Sequence, residues 1–316
     1  MKSIGSIWDK ITDIENIRLA HYQARKGKSS YRSVQTLNRS ESKHLRHLQY
    51  LLKSGTYKTS EYDVEIRLCG SKERVLHKLP YFPDRVAHHA FLNHVTPTWS
   101  KRFIRDTFQS IKGRGPSDCI RRVLKGIKED KPKYAIKLDI VKYYPSLTNE
   151  ITANPELYRL RDTRAQDFLF ELIYSLPFLP LGNHPSQYIG NLAITELDWL
   201  CKQKLKIKHY FRYCDDIVIL GDSKFELDIQ TAFIQDWLAS IGLECRISDP
   251  TPLDTNYLDF VGFRVNHHKT LLRKGLADNF KSSVRARNLP SIPPYYGWCK
   301  EAGALNLFHK HVGAFP

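Results

Sequence analysis

Two carboxylates stand side by side at Asp215 and Asp216, between the apolar stretches YFRYC and IVIL. A third, Asp139, interrupts a similar stretch, AIKLDIV. Adjacent like charges repel, and taking a carboxylate out of water is costly unless a cation or another partner compensates it. If the strand holding Asp139 neighbours the hairpin holding the pair, Asp139 and Asp215 meet across the sheet, and two or three carboxylates converge there. Hard divalent ions with oxygen ligands suit such a meeting point, and Mg²⁺ is the usual choice where phosphates supply the remaining ligands. Two such ions roughly 3.5–4 Å apart clamp the attacking and leaving oxygens of an in-line phosphoryl displacement. An isolated Asp-Asp pair is more often a solvated turn, but a surface turn does not need flanks this hydrophobic.

Charge points the same way. With 49 Lys and Arg against 33 Asp and Glu, the chain of 316 residues carries a formal net charge of +16. The excess is clustered: residues 18–53 hold nine basic residues and one acid, and 269–310 hold eight and two. Such blocks match a polyanion, most often nucleic acid; a solvated basic surface with no partner is the plainer alternative. Six cysteines lie scattered without a CxxC pair, which argues against a zinc ribbon or a disulfide framework. Neither His88–His89 nor His267–His268 has a partner at ligand spacing. No run of 18 apolar residues and no signal-peptide core is present, so a cytoplasmic protein without membrane contact is expected.

The elements that must position the carboxylates can be sketched from periodicity. Helical spacing covers 6–26, 40–53, the FPDRVAHHAFLNHV stretch, 117–128, 164–176, 187–201 and 224–241. In the last of these, Phe225, Ile229, Phe233, Trp237 and Ile241 fall at steps of four, as an amphipathic face. Period-two segments DVEIRL and RVLHKL flank GSKE as a hairpin, and HYFRYCDDIVILGDS reads as strand, tight turn, strand. LECRIS and LDFVGFRV read as two further strands. The mixture of helices with mostly antiparallel hairpins predicts an α+β fold.

AIKLDIVKYYPSL, LPLGNHPSQYIGNLAITELD and RYCDDIVIL occur in the order and spacing of the palm motifs of reverse transcriptases, the last being their YxDD box. KERVLHKLPYFPDRVAHHAFL resembles their fingers segment, FIRDTFQSIKGRG the block after it, and LDFVGFRV the primer-grip region. The resemblance spans about residues 45–300 and is closest to prokaryotic enzymes of defence, abortive-infection and diversity-generating retroelement systems. It implies a right-hand polymerase fold. N-terminal helices and fingers would occupy 1–130. The palm, an antiparallel sheet backed by helices, would occupy 131–270 with a fingers-derived insertion near 150–185. A short helical thumb would occupy 271–316.

Carried over position by position, the resemblance makes Asp139, Asp215 and Asp216 the catalytic, metal-binding carboxylates, with the Ile140 carbonyl completing one metal site. The ions would be two Mg²⁺, or Mn²⁺. Tyr144 falls at the position whose ring blocks a ribose 2′-hydroxyl, though a core aromatic fits its spacing equally well. Lys72 and Arg74 would grip the triphosphate, by charge-assisted bonds to phosphate oxygens. Gly182 and Ser186 would lie under the nascent base pair, and Leu181 at a position that touches the incoming nucleotide. Leu181 stands where many of these enzymes have Gln, which puts copying fidelity in question. The segment ECRISDPTPL lacks the Lys that often follows this strand.

Arg85 would face the template, or pair with Asp84. Lys112, Arg114, Arg121 and Arg122 would track a phosphate backbone without reading sequence. Arg285 and Arg287, interleaved with Tyr295, Tyr296 and Trp298, would grip a duplex, unless those aromatics form the thumb's own core.

The implied activity is RNA-directed DNA synthesis from dNTPs, with an RNA template, such as a non-coding RNA, and a DNA product. Antiphage defence is the first expectation, with an accessory protein or self-association as further partnerships. Mutagenic retrohoming and a non-catalytic RNA-binding protein of the same fold are the alternatives.

Overall fold

The computed structural model describes residues 4–69 and 72–313. The chain forms two compact units: Met1–Phe103 with Lys142–Glu196, and Ile104–Val141 with Leu197–Pro316.

The first unit is mainly helical. The helix expected over 6–26 is two helices, Trp8–Ile11 and Ile14–Ala24. They part at Asp13, whose carboxylate caps the second by accepting from the N–H groups of Glu15 (2.8 Å) and Asn16. Glu41–Lys53 buries Leu45, Leu48 and Leu52, and an unforeseen helix, Arg32–Arg39, precedes it. Val86–Trp99 runs through the core of this unit.

The expected hairpin is present as β1 (Asp63–Cys69) and β2 (Lys72–Lys78), with Arg67 opposite Arg74. Val64, Ile66, Leu68 and Val75 face solvent, while Arg67, Arg74 and Leu76 line a cavity.

The second unit is built on β3 (Thr107–Phe108), β4 (Tyr134–Ile140), β5 (His209–Tyr213), β6 (Asp216–Gly221) and β7 (Cys245–Ile247). They lie in the order β3-β5-β6-β4-β7, with β8 (Thr251–Pro252) also on β4. All of these pairings are antiparallel except β3 with β5. Ile217, Val218, Ile219 and Leu220 are all buried, which requires cover on both faces of the sheet. The helix Pro116–Asp130 packs Cys119, Ile120, Val123 and Ile127 into one core with Phe211, Val218 and Leu220. The helix Lys224–Ser240 packs against β6, β4 and β7.

That last helix forms where expected but turns a different face inward. Leu227, Thr231, Ile234 and Leu238 are buried, whereas Phe225 is 75% exposed and Ile229 54%. The reason is geometric. Steps of four advance about 400°, so such a stripe drifts by about 40° per step around a helix of 3.6 residues per turn. The mixed three- and four-residue steps of the buried set hold one face.

LDFVGFRV is likewise two strands, β9 (Leu258–Phe260) and β10 (Phe263–Val265), joined by Val261 and Gly262, both at positive φ. β11 (Thr270–Leu272) completes that sheet. Three helices follow: Lys274–Arg285, Pro293–Glu301 and Leu305–Val312. Phe280 is their buried centre, with the rings of Tyr295 and Phe308 centred 5.1 and 5.5 Å away.

Candidate active site

β4 and β6 pair so that Asp139 lies directly opposite Asp216, not Asp215 as expected, because the turn takes up Asp215. Tyr213 pairs with Asp216, leaving Cys214 (φ +58°) and Asp215 as the two-residue turn between β5 and β6. The Asp215 carbonyl accepts from the Ile140 N–H at 3.2 Å, which ties the turn to the end of β4. The register thus places Asp139 and Asp216 opposite one another at the ends of two inner strands, with Asp215 in the adjoining turn. On its other side Asp139 is in register with Arg246 of β7.

Like charges directly opposite on neighbouring strands are destabilising. Burial pushes the Asp216 carboxyl up from the usual range. The Lys137 ammonium, 2.8 Å from Asp216 Oδ1, opposes that rise, while the charges of Asp215 and Asp139 add to it. The donor set therefore fits a divalent cation: hard oxygens, mutually repelling, at an end of apolar strands. Among the described residues no three His, Cys, Asp or Glu side chains already stand around one point as metal ligands, and Lys137 is the cation that Asp216 holds.

A raised folded-state pKa means that the folded protein holds the proton more tightly than the unfolded chain. Asp216 therefore costs stability as pH rises from the unfolded value, about 3.9, through its higher folded value. Asp216→Asn is expected to raise the melting temperature at pH 7 by a few degrees, on the order of 1 kcal/mol, and the gain should vanish as pH falls toward 4. Thermal melts across that range test it; a variant less stable than wild type at pH 7 would count against it.

The support beneath the turn was not foreseen. Arg212, in β5, and Asp198, in the helix Thr195–Trp199, are both 0% exposed. Asp198 Oδ1 accepts from Arg212 Nε (2.7 Å) and the Tyr210 hydroxyl (2.7 Å). Its Oδ2 accepts from Arg212 Nη2 (2.6 Å) and Thr107 Oγ1 (2.8 Å). Arg212 Nη1 then donates to the Cys214 carbonyl at 3.1 Å, so this buried network holds the turn from behind. The available sequence signal was an Arg inside a stretch of buried strand, which demands an acid partner.

In the first unit, Arg74, Arg85, Tyr144, Leu181, Gly182 and Ser186 line a single cavity of about 470 Å³. Sequence reasoning missed that Lys26, Lys28, Arg67, His89 and His184 line it too. No Asp or Glu is among its described lining residues. Asp84 does not pair with Arg85. It is buried and accepts from the Tyr57 hydroxyl at 2.7 Å and the Ser60 N–H at 3.1 Å. The core aromatic is Tyr143, whose hydroxyl donates to the Gly190 carbonyl at 2.6 Å, and Tyr144 is left to face the cavity. The Lys72 side chain lies outside the described ones.

Gly182 sits at φ +134°, and a Cβ there would meet the His77 carbonyl oxygen at 2.4 Å. The His77 N–H donates to the Leu181 carbonyl at 2.9 Å, so loop and hairpin are in contact through backbone. Gly182→Ala is expected to cost roughly 2–3 kcal/mol, from positive φ together with a backbone clash. Urea denaturation measures it, and a loss below about 0.5 kcal/mol would contradict the tight approach.

The other predicted residues disperse. Arg122 ion-pairs with Asp106 at 2.8 Å and Arg114 Nη1 donates to the Ile104 carbonyl at 2.7 Å, so both are tied within the second unit. Arg121 Nε donates to the Ser117 carbonyl at 3.0 Å, and Lys112 is exposed. Arg285 and Arg287 are exposed. Tyr295 packs on Phe280, and Trp298 lies 5.1 Å from Phe263 ring to ring, so these two aromatics serve the core.

No protein-family model matches this chain, and no curated protein does. Among solved structures, it is similar to telomerase from Candida albicans in complex with a TWJ fragment of telomeric RNA. The identity is 11%, the TM-score 0.48, and the likeness covers 83% of this chain and 58% of that one. No helix among the described residues is long and apolar enough to cross a membrane.

Proposed function

We propose that this chain is an RNA-directed DNA polymerase that joins dNTPs by in-line phosphoryl transfer. The observation that carries the proposal is the register of Asp139 against Asp216, with Asp215 in the adjoining turn, on strands buried on both faces. In this reading the sheet of the second unit is the palm, β1 and β2 belong to the fingers, and the three C-terminal helices form the thumb. Asp139, Asp215 and Asp216, with the Ile140 carbonyl, would hold two Mg²⁺ or Mn²⁺ ions. When bound, such ions lower the pKa of an attacking hydroxyl and neutralise charge developing on the transferred phosphate.

The chain's own residues do the rest. The Arg212–Asp198 network fixes the turn that carries Asp215. The cations of the cavity attract a triphosphate, Tyr144 presents a ring where a 2′-hydroxyl would fall, and Gly182 leaves backbone room. The template would be a partner non-coding RNA and the setting antiphage defence in the cytoplasm. A diversity-generating retroelement enzyme would use the same residues.

The test is to purify the protein with its co-purifying nucleic acid, add Mg²⁺ with dNTPs or with NTPs, and sequence the products. DNA complementary to a bound RNA is expected. An absence of product, or equally efficient use of NTPs, would overturn the reading.

A further inference from the structure

We infer that Arg85, Lys28, His89 and His184 form a subsite for a terminal, doubly charged phosphate group, and that His89 and His184 each become proton donors to it on binding. The subsite rests on reading the cavity as the nucleotide site, and it assigns the polyphosphate's outer end to a histidine pair.

The geometry suits an anion. The rings of His89 and His184 lie with centroids 4.5 Å apart, and both line the cavity with Arg85 and Lys28. Arg85 Nε, His89 Nε2 and His184 Nδ1 are all buried without a hydrogen-bond partner. Buried polar atoms are nearly always satisfied, so three orphans in one place, beside cations and with no lining acid, call for an acceptor-rich anion. The helix His184–Ala193 adds to this. Its N-cap residue Asn183 makes no capping bond and instead donates to the Tyr62 hydroxyl at 2.8 Å.

Electrostatics distinguishes a terminal phosphate from a diester. Burial, and then the charges of His184, Arg85 and Lys28, hold His89 down to about 3. Burial and Arg85 hold His184 down to about 4. Two further groups face the pair. His88 is also held to about 3, and Tyr188, 6.1 Å from His184 ring to ring, is raised by burial and stays neutral. The two imidazoles are therefore neutral among fixed cations. An entering dianion reverses the local field, and each ring can take one proton from solvent and donate it in a charge-assisted bond. A terminal phosphate ionises a second time near pH 6 and carries the charge this needs, whereas a diester carries only one.

The probes are inorganic tripolyphosphate, which has terminal phosphates, and cyclic trimetaphosphate, which has none. Binding to the full chain is measured calorimetrically without divalent ions, near pH 6 and pH 7.5, in buffers of differing ionisation enthalpy. Tripolyphosphate should bind about tenfold more tightly than trimetaphosphate, with net proton uptake near pH 6. The single variants His89→Gln and His184→Asn should each reduce that uptake, and the double variant should abolish it while its melting temperature stays within a few degrees of wild type. Equal affinity for the two probes, or uptake unchanged in a folded double variant, would overturn the inference. Polymerase activity is read separately, so failure of the subsite is distinguishable from failure of the proposed activity.

Discussion

Replacing Arg212 by Met is expected to lower folding stability by about 3–5 kcal/mol, the usual result of removing one partner of a buried ion pair. The variant leaves the Asp198 carboxylate at 0% exposure, with the Tyr210 and Thr107 hydroxyls as its remaining donors among the described residues. Asp198→Asn should cost a similar amount by stranding the guanidinium. Replacing both partners, as Arg212→Met with Asp198→Leu, should be much milder than the sum of the singles, because neither charge is then left buried alone. Guanidinium titrations of the three variants and wild type would show this. Additive losses would mean that the pair is not the energetic unit the geometry describes. Because Arg212 Nη1 also holds the Cys214 carbonyl, the double variant should recover stability without recovering activity. That separation marks the network as a positioning device for the turn.

Much of this architecture is legible in the sequence. The YCDD turn, both its strands, the β1–β2 hairpin and the grouping of Arg74, Tyr144, Leu181, Gly182 and Ser186 follow from short-range pattern and from resemblance. What was hidden depends on geometry that a linear pattern does not encode. Phe225 and Ile229 look like a buried face because four is close to 3.6, yet the small excess winds them into solvent. Val261-Gly262 sits inside an apolar stretch, so its hairpin turn resembles a strand interior until its positive φ angles are seen. Asp198 finds Arg212 only through the tertiary fold, and the histidine pair joins residues 95 positions apart. Which face of the hairpin meets solvent has the same origin. Alternation predicts two faces but not which one meets a cavity.

The larger functional effect is expected at Asp139 and Asp215. Either change to Asn keeps the volume and removes the charge, so Asp139→Asn should fold as wild type does. It should lose dNTP incorporation by on the order of 10³-fold or more, as when a group at the centre of a charge-stabilising site is removed.

The most direct measurement is extension of a primer annealed to RNA, in Mg²⁺ with labelled dNTPs, by wild type and by folded Asp139→Asn and Asp215→Asn proteins. Extension by wild type and near-complete loss in both variants is the predicted result. Extension by either variant at wild-type rate would contradict the assignment of these carboxylates as the site of phosphoryl transfer.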